Sequence, residues 1–128
     1  MTPEDIEAFA EKFVDAVQRG DADTMRACYA PGGVIWHNTD GIEQTIDDNV
    51  KVLEWFIRTL PDRKYTVLRR EVIPDGFVQQ HILSATLPTG EPWKMDACVV
   101  VKMKDGLITR LDEYIDSAAG AKLRPFGR

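Results

Sequence analysis

An α+β fold is predicted for this chain, with three N-terminal helices covering one face of a strongly curved, mostly antiparallel sheet that encloses a pocket. Three observations predict it. Apolar residues recur at helical spacing up to Leu60-Pro61 and alternate with polar ones after it. The joints of the second half are short and rich in Pro, Asp and Gly, which suits hairpins and not crossover helices. Helices first and strands afterwards require the apolar face of the sheet to be covered by the helices.

Thr2-Pro3-Glu4-Asp5 reads as an N-cap, a proline in the first turn and an acidic residue able to close a capping box. Ile6, Phe9, Phe13, Val14 and Val17 then follow at helical spacing, and Gly20 is placed to stop the helix. Asp21 caps a second, shorter helix carrying Met25, Cys28 and Tyr29, which ends before Pro31-Gly32-Gly33. A short strand, Val34 to Asn38, comes next. Asp40 or Thr39 caps a third helix from about Ile42 to Ile57, with Ile46, Asn49, Leu53 and Phe56 on one stripe. Four strands follow: Lys64 to Ile73, Phe77 to Thr86, Trp93 to Met103 and Leu107 to Ile115. They are joined by Pro74-Asp75-Gly76, Pro88-Thr89-Gly90 and Lys104-Asp105-Gly106, where the Asp-Gly steps favour tight turns. Residues 117–128 show no clear period and read as a C-terminal tail of one domain spanning residues 1–128.

The chain has 128 residues, 16 basic against 21 acidic, for a net charge of -5. This balance argues against a nucleic-acid surface, which needs a concentrated positive field. The densest basic group, Arg63, Lys64, Arg69 and Arg70, reads as a solvated outer face or rim. Cys28 and Cys98 have no CxxC spacing and read as buried thiols without a redox role. The segment Met1 to Phe13 is acidic and lacks the marks of a secretory signal, and no run reaches membrane-spanning length, so a cytoplasmic address without membrane contact is expected.

Phosphate loops, zinc spacings and nucleophile elbows are absent, so the polar groups in strands carry the chemical interest. In Trp36-His37-Asn38, alternation puts Ile35 with His37 and Trp36 with Asn38 on opposite faces, and the sequence leaves open which pair faces inward. His81 shares a face with Gln79 and Leu83 and is either a satisfied structural donor or a base suited to proton transfer at neutral pH. Asp96 interrupts an otherwise apolar strand and must find solvent, a cation or a hydrogen-bonded site. Asp112 and Glu113 point to opposite faces, so one of them at most faces a cavity. Trp93, Met95 and Tyr114 read as core or pocket wall.

The order of elements and several segments, above all Lys104-Asp105-Gly106-Leu107-Ile108-Thr109-Arg110-Leu111-Asp112-Glu113-Tyr114-Ile115-Asp116, resemble the NTF2-like superfamily. The likeness is to its SnoaL-like and limonene-epoxide-hydrolase-like branch, with ketosteroid isomerase and scytalone dehydratase among its relatives. The Phe13-to-Tyr29 hairpin, Trp36-His37-Asn38 and Leu87-Pro88-Thr89-Gly90 also take part. The resemblance implies a cone with a mostly apolar cavity, a homodimer formed through the outer sheet face, and a small hydrophobic molecule as ligand. By position, the tyrosine and asparagine that hold water in the epoxide hydrolase fall near Ile35 and His37. Its arginine falls at Gln80 or His81, its first aspartate at Ile82 or Leu83, and its second at Glu113, so the Asp-Arg-Asp set is broken.

The catalytic candidates are therefore His81, His37, Glu113 and Asp96, and the substrate-contact candidates are Trp36, Asn38, Trp93, Met95 and Tyr29, with no metal and no cofactor implied. The expected activity is that of a lyase or isomerase acting on a small cyclic or aromatic compound. A binding protein of the same fold and an epoxide hydrolase variant are the alternatives. His81 is expected to be the principal base, tuned by Glu113 or Asp96, with His37 orienting a substrate oxygen or sharing the proton shuttle with Asn38.

Overall fold

The computed structural model describes residues 1–127. Helix α1 (Pro3–Arg19) starts on the expected capping box: Thr2 Oγ1 accepts from the Asp5 backbone N–H at 3.1 Å, and Asp5 accepts from the Thr2 N–H at 2.9 Å. It buries Ile6, Ala10, Phe13 and Ala16. Helix α2 (Ala22–Ala27) is capped by Asp21 and ends sooner than expected, because Tyr29 already opens strand β1 (Tyr29–His37). Pro31, Gly32 and Gly33 belong to β1, where the register slips between Tyr29 and Val34. A two-residue strand β2 (Glu43–Gln44) precedes α3 (Ile46–Thr59), which begins at Thr45 and not at Thr39 or Asp40. The reason is a second capping box, between Thr45 and Asp48.

Strands β3 (Lys64–Ile73), β4 (Gly76–Thr86), β5 (Pro92–Lys104) and β6 (Leu107–Ile115) complete a six-stranded sheet of order β2-β1-β6-β5-β4-β3. Every neighbouring pair is antiparallel except β1 and β6, which run parallel. The result is an α+β fold with N-terminal helices packed on a mixed sheet. Asp105 and Gly106 both take positive φ, 52° and 80°, as a tight turn between β5 and β6 requires. Gly76 does not. It is already the first residue of β4, and a Cβ there would lie 1.8 Å from the Val101 carbonyl oxygen, so close approach and not positive φ calls for glycine.

Alternation along β4 and β5 is regular. Phe77, Gln79, His81 and Leu83, with Trp93, Met95, Ala97 and Val99, are buried on the helix-covered face. Full burial of one such large apolar side chain contributes about 1.5–3 kcal/mol relative to exposure. A bulge between Val67 and Arg69 shifts the phase of β3, so that Arg70 comes onto the inner face opposite Gln79. Arg70 is thus only 9% exposed, and Arg63, which exchanges hydrogen bonds with the Gln18 backbone and side chain, is buried as well. The reading of these two arginines as solvated rim charges is corrected. So is the pairing of the thiols: Cys28 is buried, whereas Cys98 is half-buried on the outer face of β5.

Residues 117–126 also depart from the expected loose tail. Asp116 caps α4 (Ser117–Ala121), and a short 3-10 turn follows at Arg124–Phe126. Trp93 Nε1 donates to the Ala119 carbonyl at 3.0 Å and Trp55 Nε1 to the Phe126 carbonyl at 2.8 Å, while Leu123 is buried against Trp93, Met95 and Leu83. Among the described residues no helix is long and apolar enough to cross a membrane.

Candidate active site

Between the helices and the inner face of the sheet lies a cavity of about 350 Å³. Its apolar wall includes Phe13, Val17 and Met25 from the first two helices, Leu53 and Phe56 from α3, and Met95 from β5. Polar groups converge on it from four strands: Tyr29 and His37 of β1, Tyr65 of β3, Gln79 and His81 of β4, and Glu113 of β6. An apolar enclosure with a few converging polar groups is the usual form of a small-molecule site.

The parallel pairing of β1 and β6 sets His37 beside Glu113 in register, and side chains of register partners share a face. His37 Nε2 lies 3.0 Å from Glu113 Oε1, with the two side chains 16% and 24% exposed. Burial raises the Glu113 pKa, but the hydrogen bond and charge of His37, helped by His81, outweigh it and hold the group below its ordinary 4.5. Glu113 is therefore a carboxylate at neutral pH. Its field reaches the two tyrosines: burial first, and then the Glu113 charge, push the Tyr29 and Tyr65 hydroxyls well above the usual phenol range, so both keep their protons.

His81 is 5% exposed, and its ring lies 5.6 Å from that of Tyr65, centroid to centroid. Burial lowers its pKa below 6.5 and Glu113 opposes the shift only in part, so the imidazole is neutral at neutral pH. Nδ1 sits 3.0 Å from Gln79 Nε2. Gln79 Oε1 in turn accepts from Arg70 Nε at 3.0 Å and Nη2 at 2.7 Å, and Arg70 Nη1 donates to Glu7 of α1 at 2.6 Å. Gln44 Oε1 also lines the cavity region, buried without a hydrogen-bond partner among the described residues.

Of the residues singled out from sequence, His37, His81, Glu113, Met95 and Tyr29 line this one cavity. Four others lie elsewhere. Asp96 is exposed on the outer face of β5, because it alternates with buried Met95 and Ala97. Trp36 is on the outer face of β1, packed edge to face on Tyr114 at 5.3 Å. The Asn38 side chain is spent on the backbone: Nδ2 donates to the Ile115 carbonyl at 3.2 Å, and Oδ1 accepts from the Ile115 N–H at 2.9 Å. Trp93 is core, holding α4 through its indole N–H. Sequence reasoning missed Tyr65, Gln79, Arg70 and Glu7. The i, i+2 spacing of Gln79 and His81 was the available signal for the first link of that chain.

Fold and site together define an α+β pocket protein with a half-buried carboxylate–imidazole couple facing an apolar-walled cavity. The chain belongs to the SnoaL-like domain family, whose model matches residues 10–111. No curated protein matches it. Among solved structures, PrhC from Penicillium brasilianum superposes with a TM-score of 0.87 at 16% identity, over 98% of this chain and 89% of that one. AclR from Streptomyces galilaeus, proposed to be a hydroxylase, gives 0.84 at 19% identity over 98% and 87%. IdmH from Streptomyces antibioticus, proposed to be a polyketide cyclase, gives 0.81 at 20% identity over 98% and 99%. At these identities the likeness is one of fold.

Proposed function

We propose that the chain is a lyase or isomerase that uses side-chain acid–base catalysis on a small hydrophobic cyclic or aromatic carbonyl compound. The observation that carries this reading is the 3.0 Å contact of His37 Nε2 with Glu113 Oε1 inside an apolar-walled cavity. A carboxylate has only acceptor atoms. With Oε1 held by His37, Glu113 presents its other oxygen to a substrate C–H, and desolvation strengthens its action there. His37 orients the carboxylate and shares the abstracted proton. This assignment moves the role of principal base from His81 to Glu113. His81 and Tyr65, on neighbouring strands, stand where hydrogen bonds steady the oxyanion that forms when the proton leaves.

Support from relatives is of a general kind: the proposed activities of AclR and IdmH favour an enzyme over a carrier. Ring closure of a polyketide also begins with loss of a proton beside a carbonyl, so a cyclase of that type and the isomerase proposed here need the same first step.

The test measures that first step without knowing the product. The protein is incubated in D2O with a panel of hydrophobic cyclic ketones, and deuterium uptake at the position next to the carbonyl is followed by mass spectrometry. Wild-type protein should exchange at least one ketone, and Glu113→Gln should be slower by about two to four orders of magnitude. Retention of a ketone with no exchange would instead favour a binding protein.

A further inference from the structure

Beside His81, four side chains from three elements form one chain of hydrogen bonds: Glu7 to Arg70 to Gln79 to His81. Gln79 is 2% exposed and the Arg70 side chain 9%. A guanidinium can only donate, so the Gln79 atom that meets both Arg70 Nε and Nη2 must be the oxygen. The amide is thereby fixed, with its NH2 turned toward His81 Nδ1. An NH2 group donates, so Nδ1 must offer a lone pair and the ring proton sits on Nε2.

From this geometry we propose that Arg70 and Gln79 are positioning residues that hold His81 in its Nε2–H tautomer, making it a hydrogen-bond donor to substrate and not a base. Glu7 completes the chain by holding Arg70. The donor role rests on the acid–base reading above, whereas the tautomer rests on the hydrogen bonds alone. Putting a proton on Nδ1 would set two donors face to face. Turning the Gln79 amide to relieve that would face its NH2 to Arg70 and break two charge-assisted hydrogen bonds. The bulge in β3 makes the arrangement possible, since without its phase shift Arg70 would point to solvent. The titratable and charged groups about the ring are Glu113 from β6, Tyr65 from β3, His37 from β1 beyond Glu113, and Arg70 and Glu7 behind Gln79.

The chain contains two histidines, so ring-15N labelling gives a simple spectrum in which His37→Gln leaves His81 alone. In the ligand-free protein at neutral pH, long-range 1H–15N correlation should show a protonated Nε2 and a lone-pair Nδ1. A protonated Nδ1 or a mixture of tautomers would overturn the proposal. Gln79→Glu offers carboxylate oxygens to both neighbours, so Nδ1 should gain a proton and its resonance should move from the lone-pair to the protonated range. An unchanged resonance would also overturn it. Arg70→Met frees the amide to turn, and the single tautomer should give way to a mixture, with Arg70→Lys restoring it. A pure Nε2–H signal in Arg70→Met would remove Arg70 from the proposal, and if that variant fails to fold, Gln79→Glu decides alone. None of these measurements needs a substrate. The tautomer can therefore fail while deuterium exchange succeeds, and the reverse.

Discussion

His37 and Glu113 are register partners on the sheet's parallel strand pair, and that pairing sets Nε2 of one 3.0 Å from Oε1 of the other. Rigid strands on both sides fix the couple, which is what proton transfer needs from its acceptor.

Because Glu113 titrates below its ordinary 4.5, activity that depends on its carboxylate should persist as the pH falls to that value and be lost only below it. A pH profile of deuterium exchange checks this. An acid limb centred near the ordinary histidine range would place the base elsewhere. His37→Ala, which removes the donor to Oε1, should move the limb upward toward the value burial alone favours.

His81 makes the protein acid-sensitive in a higher window. Its folded pKa lies below 6.5, so as pH drops through 6.5 the unfolded chain takes up a proton that buried His81 resists. The unfolded state then binds more protons, and stability falls with falling pH until His81 itself titrates. Glu113 acts similarly lower down: its contribution is full above 4.5 and is lost as pH falls through its depressed folded value. Scanning calorimetry from about pH 7 to about pH 5 should show a declining Tm in the wild type and a shallower decline in His81→Asn. Equal slopes would contradict the neutral state assigned to His81.

Asp96→Asn should leave deuterium exchange within about twofold of wild type and shift stability by no more than about 0.5 kcal/mol, as for other exposed positions. A large loss of activity would mean that the outer face takes part in catalysis.

Asn38→Ala should act on stability and not on substrate affinity. Two hydrogen bonds to Ile115 extend the β1–β6 pairing past its last rung, and their loss should lower unfolding stability by about 1–2 kcal/mol. Urea unfolding measures that cost, while KM for an exchanged ketone should remain near the wild-type value. A KM increase with unchanged stability would return Asn38 to the substrate-contact set.

The sequence by itself determined the elements whose signals are local. The Thr2–Asp5 capping box starts α1, the change of period after Pro61 and the flanking turn residues bound β3 and β6, and Asp105-Gly106 makes the turn between the last two strands, each set by signals within a few residues. Strand alternation also put His81 with Gln79 and separated Asp112 from Glu113. Which face looked inward was decided only by tertiary structure, because the period of two is the same for either face and burial depends on what packs against the sheet. The parallel pairing of β1 with β6 joins residues 76 positions apart, so the His37–Glu113 couple left no local trace. Asp96 and Asn38 carried plausible chemistry in sequence, yet the pleat sent one to solvent and a strand end claimed the other. The state of His81 was the least legible of all. It depends on an arginine whose inward direction comes from one extra residue in β3, and on a glutamate from the opposite end of the chain.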